Sequence, residues 1–97
     1  MPIYILLSTL TSEGRQTIKQ RPERIKEVNR EIEAFGAKVL EQYSVLGQYD
    51  FVNIVEAPSD EVAASFNLAL SAQGNVRTTT LKAFTLKEFA DMINKMP

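Results

Sequence analysis

YDFVNIVEA, residues 49 to 57, is the segment with the strongest strand pattern in this sequence. It is rich in β-branched and aromatic residues, which favour strands. Its apolar residues occupy both parities, with Val52 and Ile54 on one and Phe51 and Val55 on the other. This pattern is typical of a central strand in a sheet that is covered on both faces.

The segments on either side of this strand place it in a β-α-β-β-α-β order. AKVLEQYSV, residues 37 to 45, precedes it across a turn at Leu46 to Gln48, which predicts a hairpin. Two helices with apolar residues at helical spacing begin near Pro22 and Ser59, and each ends at a glycine. The other predicted elements are strands from Ile3 to Leu10 and from Val76 to Phe84, a short helical turn from Ser12 to Ile18, and a terminal helix from Leu86 to about Lys95, started by a Thr85 and Glu88 capping box.

This order of elements predicts the fold. Right-handed crossovers convert it into a four-stranded antiparallel sheet with the order 4-1-3-2 and both main helices on one face. A chain of 97 residues with 44% hydrophobic content has the length for one core. We therefore predict a single α+β domain over residues 1 to 97, a ferredoxin-like sandwich with a short C-terminal helix.

The second face of this sheet needs a cover. Two helices cover only one face, whereas the strands at 3 to 10 and 50 to 57 are apolar on both, and soluble monomers rarely expose large apolar patches. We predict a homodimer that closes sheet to sheet, with Leu86 to Met96 of each copy held against its neighbour. The alternatives are a bound ligand, or a terminal helix that folds back over its own sheet.

Charge balance and missing residue types exclude several functional classes. Eleven basic and twelve acidic residues give a formal net charge of −1 without long runs of either sign, so nucleic acid is not an expected partner. The chain has no cysteine and no histidine, which removes thiolate nucleophiles and the commonest metal ligand and general base. We expect no cofactor and no metal. The apolar start is too short for a signal peptide or a membrane span, so the expected location is the cytoplasm, away from membranes.

Several sequence patterns are shared with one known family. They are Gly47 to Val52 (GQYDFV) followed by Ile54 to Pro58 (IVEAP), Thr11 with Gly14, Pro22, Tyr43, and Gly74 to Leu81 (GNVRTTTL). In these segments, which extend over nearly the whole chain, the protein resembles the GYD domain family. The resemblance implies a ferredoxin-like, dimeric α/β-barrel type of fold, and it does not by itself imply an activity.

The predicted sheet suggests one polar cluster that could bind a ligand. We expect the end of the third strand, the end of the first and the start of the fourth to lie at one pole, which would gather Glu56, Thr9, Thr11 and Arg77. Thr11, Glu56 and Arg77 are therefore candidate ligand-binding residues. The simpler interpretation is a structural ion pair between Glu56 and Arg77, and it is favoured.

A second candidate cluster surrounds the hairpin turn, at what we expect to be the opposite pole. Asp50 is a candidate base there, and Tyr49 or Tyr43 a candidate proton donor, because acid–base chemistry without histidine must use such pairs. The favoured alternative is that Asp50 accepts backbone hydrogen bonds while the tyrosine hydroxyls point outward.

Two functions remain open at this point. The first is a homo-oligomeric module that binds a small ligand or mediates assembly. The alternative is a cofactor-free enzyme of the dimeric barrel type, with Asp50 or Glu56 as base and Tyr43 or Tyr49 as acid on a small organic substrate. The enzyme requires a concave pocket that reaches one of these carboxylates, whereas the module does not.

Overall fold

A four-stranded antiparallel sheet with helices on one face forms the body of the protein. The computed structural model describes all residues from Met1 to Pro97. In chain order the elements are β1 (Ile3–Leu10), α1 (Ser12–Gln20), α2 (Arg24–Glu33), β2 (Lys38–Ser44), β3 (Phe51–Glu56), α3 (Asp60–Ala72), β4 (Val76–Ala83) and α4 (Leu86–Asn94). The sheet order is β2-β3-β1-β4, which is the predicted order written from the other edge. The predicted α+β, ferredoxin-like fold is confirmed.

Side-chain caps explain where three of the helices begin. Ser59 accepts a hydrogen bond from the Val62 N–H and starts α3, as predicted. The predicted capping box of Thr85 and Glu88 starts α4, with both of its hydrogen bonds present. The cap of α1 is Thr11, the residue before the predicted start at Ser12. Its hydroxyl accepts from an N–H in the first turn.

The core lies between the sheet and the helices α1 to α3. Along β1, residues that face the helices are buried and alternate with half-buried residues on the other face. Phe66 of α3 is fully buried and meets the ring of Phe35 edge-on, with 6.3 Å between the centroids. The buried apolar residues are Tyr4, Leu6, Ile32, Ala37, Val55, Ala57, Ala63, Phe66 and Leu70.

Helix α4 extends away from this body. None of its residues is buried, and it packs extensively against no strand or other helix. The molecule is correspondingly elongated, with extents of 54 × 29 × 19 Å. The alternative in which the terminal helix folds back over its own sheet is therefore wrong for this chain. The longest helix, α3, has 13 residues, and no helix combines the length and the apolar character that a membrane crossing requires.

Candidate functional site

The face of the sheet opposite the helices carries mainly apolar side chains, with charged residues on its edge strands and at its ends, and no helix covers it. Strand register shows which side chains share it, because residues directly paired across strands point to the same side. Ile5 of β1 is paired with Ile54 of β3 and with Leu81 of β4. We call this surface the open face. Its large side chains are Ile3, Ile5, Leu7, Tyr43, Val52, Ile54 and Leu81.

Exposure increases towards the edges of the open face. The large side chains of β1 and β3 are half-buried by their neighbours in the sheet. On the edge strands, Leu81 is 45% exposed and Tyr43 is 54% exposed. An apolar surface that spans four strands is larger than the scattered apolar residues that soluble monomers normally expose.

A second apolar surface runs along one side of α4. Its residues recur at intervals of three and four, which places them on one side of the helix, and each is at least 42% exposed. We call this surface the α4 stripe. It consists of Leu86, Phe89, Met92 and Ile93, followed by Met96 just beyond the end of the helix, while Lys87, Glu88, Asp91 and Asn94 form the polar side, with Lys95 at the C-cap.

Thr11 and Arg77, two of the candidate ligand-binding residues, lie close together at one end of the sheet. Thr9 and Arg77 are direct cross-strand partners between β1 and β4. Thr9, Thr11 and Arg77 line one shallow polar groove of about 420 Å³, which Arg15 also lines. The groove brings two arginine side chains, three hydroxyl groups and the Glu13 carboxylate to the surface at this end of the sheet.

Glu56 is separated from this groove, so the predicted grouping is wrong. In an antiparallel sheet, the end of one strand meets the start of its neighbour. Glu56 is therefore paired with Ile3 and Lys38, at the end of the sheet opposite to Arg77. A direct ion pair between Glu56 and Arg77 does not form.

Asp50 lies at the same end as Thr11 and Arg77, not at the opposite pole as expected. Its backbone N–H donates to the carbonyl of Ser8, and its side chain accepts from the Leu10 N–H at 2.8 Å. The favoured structural interpretation was that the Asp50 carboxylate accepts backbone hydrogen bonds. The structure agrees, since this carboxylate accepts one such bond from Leu10. The bond joins the hairpin to the end of β1.

The proposed acid–base partners are not arranged as a catalytic pair. The Tyr43 hydroxyl donates to Glu41 at 2.7 Å, and this hydrogen bond raises the pKa of Tyr43. Tyr49 is half-buried beside Asp50 in the chain. None of the concave regions of the surface is lined by Asp50 or Glu56. The pocket that the enzymatic alternative requires is therefore not found beside either carboxylate.

The residues Thr11, Gly14 and Gly74 to Asn75, which belong to the family pattern, meet at one junction. The Thr11 hydroxyl donates to the Gly74 carbonyl at 2.7 Å, and the Thr11 N–H donates to the Asn75 carbonyl at 3.0 Å. A Cβ on Gly14 would lie 1.9 Å from that carbonyl oxygen. Only glycine allows α1 to approach the loop before β4 this closely.

Two polar clusters were not predicted from the sequence. In the first, the buried Tyr4 hydroxyl donates to Asp60 Oδ1 at 2.5 Å, and Lys82 lies 3.1 Å from the same oxygen. Burial and this hydrogen bond raise the pKa of Tyr4 to about 12, while the bonds from Tyr4 and Lys82 lower the pKa of Asp60. The only signal of this contact in the sequence is the hydroxyl that Tyr4 carries on the helix-facing parity of β1.

The second cluster lies beneath the helices. Asn53 and Ser8 are buried on the helix-facing side of the two central strands, at 5% and 6% exposure. Next to them, Gln42 and Asn29 exchange two amide hydrogen bonds of 3.0 and 3.1 Å. The sequence signal is a polar residue at a parity otherwise occupied by Phe51 and Val55.

Comparisons with known proteins identify the family. A protein from Thermus thermophilus, named "Glutamine synthetase and cystathionine beta-lyase binding protein", is 50% identical over 97 residues, which cover 99% of each chain. Among solved structures, TTHA0845 from the same species is similar with a TM-score of 0.57 and 26% identity, covering 88% of this chain and 95% of that one.

A further structural likeness concerns the fold alone. MtbAldR matches with a TM-score of 0.64 and 23% identity over 87% of this chain, which spans about half (52%) of the MtbAldR chain. The sequence profile of the GYD domain matches residues 4 to 93. Since that match covers nearly the whole chain, the protein belongs to the GYD domain family.

Proposed function

We propose that this protein is a self-associating module that binds partner proteins, with glutamine synthetase and cystathionine beta-lyase as the first candidates. The observation that carries the proposal is the pair of uncovered apolar surfaces, the open face and the α4 stripe. Both consist of large side chains that no other part of the chain covers. Surfaces of this kind mark sites of protein association.

A second copy of the chain is the occupant that we propose for the open face. A two-fold axis parallel to the strands would place β4 of one copy over β2 of the other. Arg77 on β4 would then approach the end of β2 that carries Glu41 and Tyr43, on the same face. Charges of opposite sign on the two edge strands make this face complementary to itself.

The α4 stripe is the surface that we propose for the partner protein. An amphipathic helix that is already formed and capped can bind a hydrophobic groove without a large loss of conformational entropy. The relative that is 50% identical carries the name of a protein that binds glutamine synthetase and cystathionine beta-lyase. This supports testing the same two enzymes as partners of this chain.

Light scattering after gel filtration tests self-association. We expect a dimer from the wild-type protein and a monomer from Leu81→Lys, because the substitution places a charge on the open face. Leu68→Lys is the matched control, since Leu68 is 68% exposed on α3 in the opposite layer. It should remain a dimer. A monomeric wild-type protein at micromolar concentration would contradict the proposal.

Surface plasmon resonance with immobilised glutamine synthetase, and separately cystathionine beta-lyase, from the same organism tests partner binding. We expect Ile93→Lys to weaken binding at least about tenfold, because it places a charge in the α4 stripe. Asn94→Lys is the control, since it adds the same charge on the polar side of the same turn. Failure of the wild-type protein to bind either enzyme, or an equal loss in both variants, counts against this assignment.

A further inference from the structure

A small cavity lies between the sheet and the helices α1, α2 and α3, on the side of the sheet opposite the open face. It has a volume of about 50 Å³, and seven of its ten lining residues are hydrophobic. Ile18 of α1, Val28 of α2 and Leu70 of α3 form part of its apolar wall. Its polar groups are confined to the sheet, at Ser8, Gln42 and Asn53.

Asn53 provides an independent indication of a ligand. Its side chain lines the cavity, the residue is 5% exposed, and its Oδ1 has no hydrogen-bond partner. Gln42, the cross-strand neighbour of Asn53, makes no hydrogen bond to this oxygen, and its amide exchanges two hydrogen bonds with Asn29. A buried amide oxygen without a partner is rare, since its desolvation is not compensated by a hydrogen bond. Asn53 Oδ1 is therefore an acceptor that a donor entering the cavity could use.

The volume and lining of the cavity define the shape of the missing molecule. A single water needs about 10 to 15 Å³ of such volume, so the cavity holds the equivalent of about three to five waters. Several waters would find partners only at the sheet, because the walls offer no hydrogen-bonding groups. A compact molecule with one polar end and an apolar body would match the polar groups of the sheet and the apolar wall formed by the helices. A charged group is disfavoured, since no counter-ion lines the cavity.

We propose that this cavity binds a small neutral molecule, of the primary amide or alcohol class, whose apolar body of a few carbon atoms packs against the helices. Its N–H or O–H donates to Asn53 Oδ1. The buried Ser8 hydroxyl, on the adjacent strand and the same face, is available as its second partner. The site is separate from the open face and from the α4 stripe, and it does not rest on the proposed protein-binding function.

Nuclear magnetic resonance titration with isobutyramide tests this site. We expect the Asn53 side-chain amide and the methyl groups of Ile18 and Val28 to shift together, with a Kd on the order of 1 mM for a ligand of this size. Isobutyrate is the matched control, because it has the same branched body and a charge in place of the amide. Absence of these shifts with isobutyramide, or equal shifts with isobutyrate, would overturn the proposal.

Two variants test separately how the polar group of Asn53 and the apolar wall of the cavity contribute to isobutyramide binding. Asn53→Leu keeps a similar volume without the amide, and we expect it to weaken isobutyramide binding at least about tenfold. It should fold, because Asn53 Oδ1 has no partner to lose and the cavity walls are mainly apolar. Val28→Met keeps Asn53 and extends into the cavity, and it should also abolish binding. Binding of wild-type strength in either variant contradicts the proposal, as does a crystal structure in which ordered waters remain on Asn53 Oδ1 in the presence of the probe.

Discussion

Tyr4 and Asp60 lie 56 residues apart in the sequence, and their hydrogen bond joins the core of the sheet to the first turn of α3. Tyr4→Phe removes the hydroxyl and leaves Asp60 without this donor. We expect the free energy of unfolding to fall by about 1.5 to 3 kcal/mol, the usual range for a hydrogen bond to a charged group. Urea denaturation measures the change. Tyr43→Phe is the control, because its bond to Glu41 is on the surface, and its effect on stability should be much smaller.

The same bond makes a pH-dependent contribution to stability. The pKa of Tyr4 rises from its ordinary 10.0 to about 12, so the folded state holds the proton more tightly than the unfolded state does. This contribution is complete below pH 10 and is lost as the pH rises towards 12. Wild-type protein should therefore lose more stability than Tyr4→Phe between these pH values. Parallel curves for the two proteins would show that Tyr4 does not carry this contribution.

The sequence predicts residues with local roles well and residues with distant partners poorly. Thr85 with Glu88 and Ser59 were predicted correctly as caps, because a cap and the N–H it accepts from lie within one turn of helix. The contact between Tyr4 and Asp60 depends on how α3 is placed over β1, and no local pattern reports that. Asn53 is visible in the sequence as a polar residue between Phe51 and Val55 on one parity of its strand, but its lack of a hydrogen-bond partner is seen only in the folded structure.

Helix α1 and the loop before β4 meet at a junction that depends on Gly14. Gly14→Ala would bring a Cβ to 1.9 Å from the Asn75 carbonyl oxygen, a backbone atom that cannot rotate away. We expect a loss of about 2 kcal/mol or more in the free energy of unfolding, as for overpacking in a tight interior. Gln16→Ala, on the exposed side of the same helix, should cause little change or a small gain in stability. Equal effects of the two variants on stability would contradict this prediction, because they would mean that α1 and the loop before β4 can move apart at little cost.

The way strand ends meet in the sheet explains why Thr9 and Arg77 were placed together correctly, whereas Glu56 was placed at the wrong end of the sheet. Thr9 and Arg77 were correctly placed together, since they are direct partners in the register of β1 and β4. Glu56 was assigned to the wrong end, because adjacent strands run in opposite directions and the end of β3 meets the start of β1. The open face was predicted from two strands that are apolar on both parities. The apolar pattern of a strand can be recognised without knowing which strand ends lie next to each other in the sheet.

At the scale of the whole molecule, the proposed dimer makes stability depend on protein concentration. If burial of the open face is part of folding, each tenfold increase in concentration adds about 1.4 kcal/mol to the stability of the dimer. With a urea dependence of about 2 to 3 kcal/mol/M for two chains of this length, the midpoint should rise by about 0.5 M per tenfold increase. Urea titrations at about 1 and about 100 µM protein measure this shift.

The variants of the open face determine how that result is interpreted. Leu81→Lys should show a midpoint that does not change with concentration, because a monomer unfolds without dissociation. Leu68→Lys should follow the wild-type protein, since its lysine lies on the opposite layer. If the urea midpoint of the wild-type protein does not change with concentration, each chain folds without needing a second copy. The half-buried residues of β1 and β3 would then be stable without a cover, and the α4 stripe alone would remain as the surface for protein binding.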